Sequence, residues 1–396
     1  MTRHSHVFRN LFVRTAVLFL MRLPLMTQLL ATFSLGIGVV QNQRMEALPE
    51  QIRAHQYDLA NSGRTFLLEE AGRASFFLLG ELHGTNQIPA LIRALWPSLW
   101  EKGYRHVAAE VSPWAAARLE FPATKPPPNS GHGLWRQSEA DFLIGFKKAP
   151  GAVLWGCDIE EVRPQKIMIR ELALKNPSSQ PLKVMVERTR EGYKRTSADE
   201  LLGLAREASK SGRLTKESEK LLQSLVQTLE VESDRAQADL RLRASMRREL
   251  VMKKLFMEHY GEAGGAPKVM LRFGVNHLHR GYDRRGVSTL GNFIAEFALA
   301  RGESTFHLAA FCAGGQIRWG ASVLACDDTK EDAALALLAS LARYAETVFD
   351  LRVIRQALHR IPDTKRSPAE RSLVYWADSY DAIICYREVT PLPPPE

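Results

Sequence analysis

Several signatures of well-known protein chemistries are missing from this chain of 396 residues. No G-x-S-x-G motif occurs, which disfavours a serine nucleophile of the α/β-hydrolase kind. No C-x-x-C or C-x-x-C-H spacing occurs, so the sequence indicates neither a zinc finger nor a covalently attached haem. Proline is absent from residue 182 to residue 266. These absences leave hydrolysis without a serine elbow, non-covalent ligand binding and scaffolding open as functions.

Cysteine is scarce, and the spacing of the cysteines shows no metal-binding pattern. The four cysteines are Cys157, Cys312, Cys326 and Cys385. The contexts LWGCDI, AAFCAG and AIICYR are apolar and typical of strands. We expect buried free thiols, which leave the redox compartment undecided.

Charge and composition are those of an ordinary globular protein. Hydrophobic residues make up 45% and charged residues 24%, and the formal net charge is +9. The length is large for one domain, although α/β folds with insertions reach it. The basic residues are spread along the chain, with a local excess at residues 235–254. Without a nucleic-acid motif they predict a solubilised surface and no nucleic-acid partner.

The N-terminal segment is basic and hydrophobic, and residues 23–40 carry no charge. Residues 1–40 therefore predict a signal peptide or a membrane anchor. Export to the periplasmic or extracellular side follows, with membrane association through this segment. No A-x-A cleavage site follows, and Arg14 and Arg22 interrupt the apolar stretch. A misassigned start or a core helix is the alternative, and a misassigned start would make the protein cytoplasmic.

Short apolar runs recur after a linker predicted at residues 41–61. Their continuous apolarity predicts strands buried on both faces, and helical patterns lie between them. The fold class is therefore α/β, with a central mostly parallel sheet and helices on both faces. Ligands of such sheets bind outside the carboxyl ends of the strands. The predicted strands span residues 74–80, 106–111, 152–159, 268–274, 305–313 and 381–388.

Two segments interrupt this alternation within a domain predicted at residues 62–390. Residues 121–133 are rich in proline and glycine and predict a loop. Residues 182–266 are rich in Leu, Glu, Lys, Arg and Ala and predict a helical insertion that covers the sheet edge. A coiled-coil partner helix is the alternative, but the apolar heptads are not sustained. The proline-rich residues 391–396 predict a disordered tail.

Ionisable residues follow four of the predicted strands. If those strands are neighbours, carboxylates and imidazoles converge in one crevice. Such a cluster can bind a divalent metal, or hold a histidine as general base with carboxylates fixing its tautomer. Each of these residues alone could be a surface histidine or a helix-capping acid. The hypothesis of a functional site therefore rests on their occurring together, after four strands. The residues are Glu81, His83, Glu110, Asp158, His277 and His279.

Several stretches resemble the erythromycin esterase family. LLGELHGT, and KGYRHVAAEVS after the next helix, resemble the beginning of that family. RRELVMKKLF resembles its arginine-acid-x-x-methionine helix, and GVNHLHRGYDRRGVSTLGNFIAE its late histidine motif. The G-x-x-H pairs are shared with a wider superfamily of Tiki metalloproteases, TraB-like proteins and ChaN-like haem-binding lipoproteins. The resemblance covers residues 60–392.

The resemblance implies a hydrolase of ester, lactone or amide bonds with a small-molecule or peptide substrate. His83 would activate water, Glu81 and Glu110 would orient it or share its proton, and His277 would complete the site. A metal-dependent version would hold a divalent transition metal with His83, Glu110 and His277. Binding of haem or another large ligand is the alternative implied by ChaN, and a decayed site on a scaffold is a third. Ligand-binding roles would belong to His279, Arg93, Asp158 and Arg248.

Three departures separate the chain from the esterase pattern. Only Leu82 separates Glu81 from His83, where esterases usually have two residues. Gln87 replaces a usual acid, and Val275 precedes the asparagine of the late motif. These differences are in the direction of the Tiki and ChaN branches, so macrolide hydrolysis does not follow from the resemblance.

Overall fold

The computed structural model describes residues 48–121, 135–147, 151–190, 198–210 and 214–394. The predicted signal peptide or anchor at residues 1–40 lies outside this part of the chain, as does nearly all of the loop predicted at residues 121–133. Within the described ranges, no helix combines the length and the apolarity that crossing a membrane requires.

A mixed sheet of eight strands forms the centre of the molecule, with strand order β1-β9-β10-β6-β2-β5-β3-β4. The six strands from β10 to β4 are parallel, and β9 and β1 add antiparallel pairs at one edge. This arrangement confirms the predicted α/β class. The strands are β1 (Gln56–Asp58), β2 (Phe76–Glu81), β3 (Tyr104–Ala109), β4 (Leu154–Gly156), β5 (Lys268–Gly274), β6 (Thr305–Cys312), β7 (Gln316–Trp319), β8 (Ser322–Ala325), β9 (Glu346–Asp350) and β10 (Ala382–Tyr386).

Helices cover both faces of this sheet in the described ranges. They are α1 (Leu48–Ala54), α2 (Arg64–Arg73), α3 (Gln87–Glu101), α4 (Pro113–Glu120), α5 (Gln137–Ile144), α6 (Val162–Lys175), α7 (Gln180–Arg190), α8 (Ala198–Lys210), α9 (Lys216–Ala236), α10 (Arg241–Ala263), α11 (Leu290–Ala300), α12 (Ala333–Leu341), α13 (Arg352–Arg360) and α14 (Pro368–Ser379). Successive side chains along β2 point to opposite faces of the sheet and so contribute to two apolar clusters, one under the helices of each face. Phe77 and Leu79 enter one apolar cluster, and Phe76 and Leu78 enter the other. Because both faces are covered, the strand sequence is continuously apolar.

The proline-free segment forms the helices α7 to α10. The helices α8 and α9 pack together through buried apolar residues at helical spacing. Leu201 and Ala205 of α8 and Leu225 of α9 belong to the same apolar cluster. The last helix, α10, runs back to the sheet and leads into β5. It packs against α11 and β4, so the end of the segment predicted as an insertion belongs to the sheet layers.

The structure corrects both predicted ends of the domain. Residues 48–58 of the predicted linker form α1 and β1, because Leu48 and Ile52, four residues apart, are buried against the core. The predicted tail is ordered at its beginning, since the Leu392 amide donates to the Gly84 carbonyl at 2.9 Å. Two strands of the main sheet, β1 and β9, were also absent from the prediction. Both are short and lie at the antiparallel edge.

The prediction of four free thiols is wrong for two of them. Cys312 and Cys326 form a disulfide with their Cα atoms 6.2 Å apart, whereas Cys157 and Cys385 are free and buried. The pairing depends on the hairpin of β7 and β8, which lies between the two cysteines and was not predicted. Sequence spacing alone could not show that this hairpin returns Cys326 to the end of β6.

Candidate active site

Four neighbouring parallel strands deliver ionisable side chains to one edge of the sheet. The strands β2, β5, β3 and β4 are adjacent in that order. Glu81 is the last residue of β2, Glu110 follows β3 directly, and Asp158 lies two residues after β4. His277 closes a short 3-10 turn after β5. The convergence follows from the parallel order, since the carboxyl ends of parallel strands meet at one edge.

His83 lies between two carboxylates. Its Nδ1 is 3.1 Å from Glu81 Oε1, and its Nε2 is 3.6 Å from Glu110 Oε2. Glu81 is almost completely buried, while 21% of the His83 side chain is exposed. One ring nitrogen is therefore held by one buried acid, and the other lies near a second.

His277 lies on the opposite side of Glu110. Its Nε2 is 3.5 Å from Glu110 Oε1, and its Nδ1 is 2.5 Å from Glu249 Oε1 on α10. The second oxygen of Glu249 accepts the backbone N–H of Leu290 at 2.7 Å. Each histidine thus has one carboxylate of its own and shares Glu110 with the other.

Arg248 on α10 provides a fixed positive charge beside this pair. Its Nε donates to Asp158 Oδ1 at 2.9 Å and its Nη2 to Glu110 Oε1 at 2.7 Å, and a second bond to Asp158 makes that pair bidentate. Its Nη1 is 3.3 Å from His277 Nε2. Asp158 is therefore the partner of Arg248 and does not cap the following helix, which has Glu161 at its N-cap.

A second buried arginine fixes Glu81. Arg272 on β5 donates Nε to Glu81 Oε2 at 2.6 Å and Nη1 to Glu139 Oε2 at 2.5 Å. Its guanidinium lies over the ring of Trp135, 4.1 Å from the centroid. Removing one partner of a buried pair of this kind typically costs about 3–5 kcal/mol, because the other charge is left uncompensated. Arg272 thus holds the acid that holds His83.

The two carboxylates beside His83, those of Glu110 and Glu81, are ionised. Burial alone would raise the pKa of Glu110, but the charges of His277 and Arg248 outweigh it and hold that pKa well below its usual value. Burial also opposes ionisation of Glu81, and Arg272 and His83 hold its pKa below the usual value.

The two histidines are both more basic than an exposed imidazole. Burial would lower their pKa values, but the neighbouring carboxylates have the larger effect and raise both. Hydrogen bonding to Glu81 and the charge of Glu110 raise the pKa of His83. Glu110, against the opposing charge of Arg248, raises the pKa of His277 to about 9. His277 is therefore cationic at neutral pH.

Gly274 makes the close approach of these groups possible. A Cβ atom at this position would lie 2.4 Å from His83 Nε2. The backbone N–H of Gly274 donates to Glu110 Oε2 at 2.6 Å. The glycine of the second G-x-x-H element thus admits the histidine that belongs to the first.

Two residues predicted to bind ligand lie elsewhere. His279 is buried with Tyr375, whose hydroxyl is 2.6 Å from its Nδ1, and near the ring of Tyr380. Burial lowers the pKa of His279 to about 4, so it stays neutral. Arg93 is on α3, where it donates to the Ser138 carbonyl at 3.2 Å. Their ligand-binding roles stay predictions.

Sequence reasoning missed three charged residues of the site. Glu249 stands next to Arg248 in the quoted helix motif, but only the arginine was proposed. Arg272 had a signal, since it is a lone charge inside the apolar strand VMLRFG. Glu139 had none, because only tertiary packing brings α5 to this strand end.

Two of the three proposed metal ligands contact an arginine. The guanidinium of Arg248 lies 3.3 Å from His277 Nε2 and donates to Glu110 Oε1 at 2.7 Å. Among the described residues, the groups close enough to hold an ion together are Cys312, Cys326 and Asp328. Those two cysteines form the disulfide, so their sulfurs are not thiolate ligands.

The sequence matches no protein-family model and no curated protein. Among solved structures, a Bacillus cereus protein matches with a TM-score of 0.56 at 17% identity, over 89% of this chain and 98% of its own. A succinoglycan biosynthesis protein matches with a TM-score of 0.56 at 13% identity, over 87% of this chain and 97% of its own. A mutant of the erythromycin esterase EreC in its open conformation matches with a TM-score of 0.54 at 12% identity, over 87% of this chain and 96% of its own. The chain has the fold of an erythromycin esterase. At these identities the likeness concerns the fold alone.

Proposed function

We propose that the protein is a hydrolase of ester, lactone or amide bonds in a small molecule or peptide, with His83 as the general base. The observation that carries this proposal is the position of His83. A buried, ionised Glu81 holds its Nδ1, while its Nε2 lies 3.6 Å from Glu110 Oε2. An imidazole held in this way is oriented to accept a proton from water.

The surrounding residues supply the remaining steps of such a reaction. Glu81 accepts a hydrogen bond from Nδ1–H of neutral His83 and so leaves the lone pair of the ring on Nε2. A water hydrogen-bonded to Nε2 beside Glu110 loses a proton to His83 as it attacks the substrate carbonyl. His277 and Arg248 place two positive charges beside the negative charge that develops on the carbonyl oxygen. His83 then returns the proton to the leaving group.

Arg248 favours the version of this mechanism without a metal. A divalent ion shared by His83, Glu110 and His277 would compete with a guanidinium that already contacts Glu110 and His277 and that Asp158 also holds. The arginine already supplies the positive charge that a metal would bring. No step of the proposed mechanism therefore passes through a metal.

The polar surroundings favour hydrolysis over haem binding. A haem-ligating histidine needs a free nitrogen that faces a wide apolar pocket. Here Glu81 and Glu249 occupy the Nδ1 atoms of His83 and His277, and both Nε2 atoms face Glu110.

The fold shared with EreC supports the hydrolase class, because EreC is an esterase. It does not extend to the substrate, since 12% identity shows the fold alone. The substrate is therefore to be found by a screen of esters, lactones and amides.

The first test is the His83→Ala variant in such a screen. Removal of a general base typically costs roughly 10²–10⁴-fold in rate, and we expect kcat/KM to fall by about this factor while the circular dichroism spectrum is kept. His359→Ala is the matched control, because His359 also pairs with a carboxylate, that of Asp378, but is half exposed. Activity of His83→Ala at the level of the control would overturn the proposal.

Metal analysis of the same preparations separates the two versions of the mechanism. We expect wild-type protein to turn over substrate without bound transition metal and after treatment with a chelator. One equivalent of metal in wild type, lost in both His83→Ala and His277→Ala, would replace the metal-free mechanism by a metal-dependent one.

A further inference from the structure

The hairpin of β7 and β8 is attached to the molecule at both of its ends. The disulfide joins Cys312, the last residue of β6, to Cys326, which follows β8. The Cys326 amide also donates to the Gly315 carbonyl at 3.0 Å. The base of the hairpin is therefore closed by a covalent and a hydrogen bond.

The hairpin crosses the loop that carries His83. The Arg318 amide donates to the Gly84 carbonyl at 2.9 Å, and its Nε donates to the Leu392 carbonyl at 2.6 Å. Gly84 has a φ of +79°, and a Cβ there would lie 2.2 Å from the Arg318 carbonyl oxygen. The glycine after His83 is thus required by the hairpin backbone, which fixes the position of β7 relative to His83.

This crossing places Trp319 beside His83. The two ring centroids are 6.4 Å apart, and Trp319 is 59% exposed. In the register of the hairpin Trp319 pairs with Ser322 and Ile317 pairs with Leu324, so these four residues share one face. Ile317 packs on the core, so this face is turned towards the protein, yet Leu324 is 48% exposed. Trp319 and Leu324 form what we call the hairpin face.

We propose that the hairpin face is the specificity wall of the site, which binds a flat apolar group adjoining the scissile carbonyl of the substrate. The inference rests on the proposed hydrolase function and adds the substrate class to it. An exposed indole next to a solvent-accessible imidazole is the kind of apolar patch that marks a ligand-binding surface. Aromatic side chains provide large contact areas for rings at a low cost in conformational entropy.

The position of the hairpin face favours a substrate group over a partner protein. The separation of 6.4 Å between the rings lets one small molecule contact both, with its carbonyl at His83 Nε2 and its ring on Trp319. The bonds to Gly84 keep this separation fixed. Benzyl esters should therefore be preferred to ethyl esters with the same acyl group.

The test compares benzyl acetate with ethyl acetate in the wild type and in Trp319→Ala. We expect the variant to raise KM for benzyl acetate by roughly tenfold, as loss of an aromatic contact does, and to leave KM for ethyl acetate and kcat nearly unchanged. Trp319→Phe should restore most of the preference. Val323→Ala is the matched control, because Val323 is on the same hairpin, 42% exposed, but on the opposite face.

Unreactive ketones keep this test independent of turnover. In 4-phenylbutan-2-one and pentan-2-one a methylene replaces the ester oxygen of benzyl acetate and ethyl acetate. Calorimetry should show roughly tenfold tighter binding of the phenyl ketone to the wild type, and loss of that difference in Trp319→Ala. If esters are not hydrolysed but this difference is found, the proposed function fails and the hairpin face stands. Equal binding of the two ketones to the wild type, or an unchanged difference in Trp319→Ala, would overturn the inference.

Discussion

Two histidines of the same sequence element, G-x-x-H, acquire different chemical properties from their neighbours. His83 pairs with Glu81, which Arg272 already partly neutralises. His277 pairs with Glu249 and Glu110, and Glu110 raises its pKa to about 9. In the proposed mechanism this difference in environment divides the roles, with His83 as the base and His277 as the cation.

The pH dependence of hydrolysis follows from the raised pKa values of His83 and His277. His83 must be neutral to accept a proton, so activity should rise as pH increases through a pKa above 6.5. His277 must be protonated to stabilise negative charge, so activity should fall as pH increases through about 9. We expect a bell-shaped profile of kcat/KM, whose two apparent pKa values belong to the coupled pair.

The His277→Gln variant checks the assignment of the alkaline limb. It keeps a hydrogen-bond donor but cannot titrate, so the descending limb near pH 9 should disappear while the ascending limb remains. A descending limb that survives unchanged in this variant would show that another group is responsible.

At the scale of the element, the turn after β5 does most to build the site. It places His277 against α10, where the adjacent residues Arg248 and Glu249 both reach it. The turn begins at Gly274, which also lies against the ring of His83. One short segment thus connects the two histidines, and this explains why a glycine precedes the turn.

Gly274→Ala should impair the site more than the fold. The added methyl group would lie 2.4 Å from His83 Nε2, so the imidazole must move. We expect a loss of kcat/KM of at least about 10²-fold, the lower range for loss of a general base. The measurement is kinetics beside thermal unfolding.

Gly203→Ala provides the matched control. Gly203 lies inside α8, and a Cβ there meets nothing within 4 Å. The same change should leave activity unaltered and stabilise the helix by up to about 1 kcal/mol. Similar activity of the two variants would show that the contact between Gly274 and His83 is not required.

At the scale of the whole molecule, the disulfide bears on where the protein works. Disulfides persist in oxidising compartments and are rare in the cytosol. The bond between Cys312 and Cys326 therefore supports our proposal that the protein is exported, as the N-terminal sequence predicts. It also fixes the base of the hairpin that carries Trp319.

Thiol counting tests this bond directly. Denatured protein that has not been reduced should react at two thiols, those of Cys157 and Cys385, and at four after reduction. For a loop of this size, with a sequence separation of 14, reduction should lower the free energy of unfolding by about 3 kcal/mol.

The double variant Cys312→Ser with Cys326→Ser should unfold at the lower denaturant concentration of the reduced protein and should not respond to reductant. Four reactive thiols in unreduced wild type would contradict the pairing and remove this support for export.

The sequence by itself determined the α/β class, the strands β2, β3, β4, β5, β6 and β10, and the ionisable residues that follow four of them. It could do so because strands buried on both faces are continuously apolar, and because working groups follow them at short, local spacing. Glu81, His83, Glu110, Asp158 and His277 are all recognisable in this way.

Only the tertiary structure decided which distant groups pair. The insertion of β5 between β2 and β3 brings Gly274 to His83, and the approach of α5 gives Arg272 its partner Glu139. The hairpin returns Cys326 to Cys312 and brings Trp319 to the site. The physical reason is the same in each case. Charge neutralisation, close backbone approach and disulfide formation depend on distances between residues far apart in the chain, and local sequence patterns carry no information about those distances.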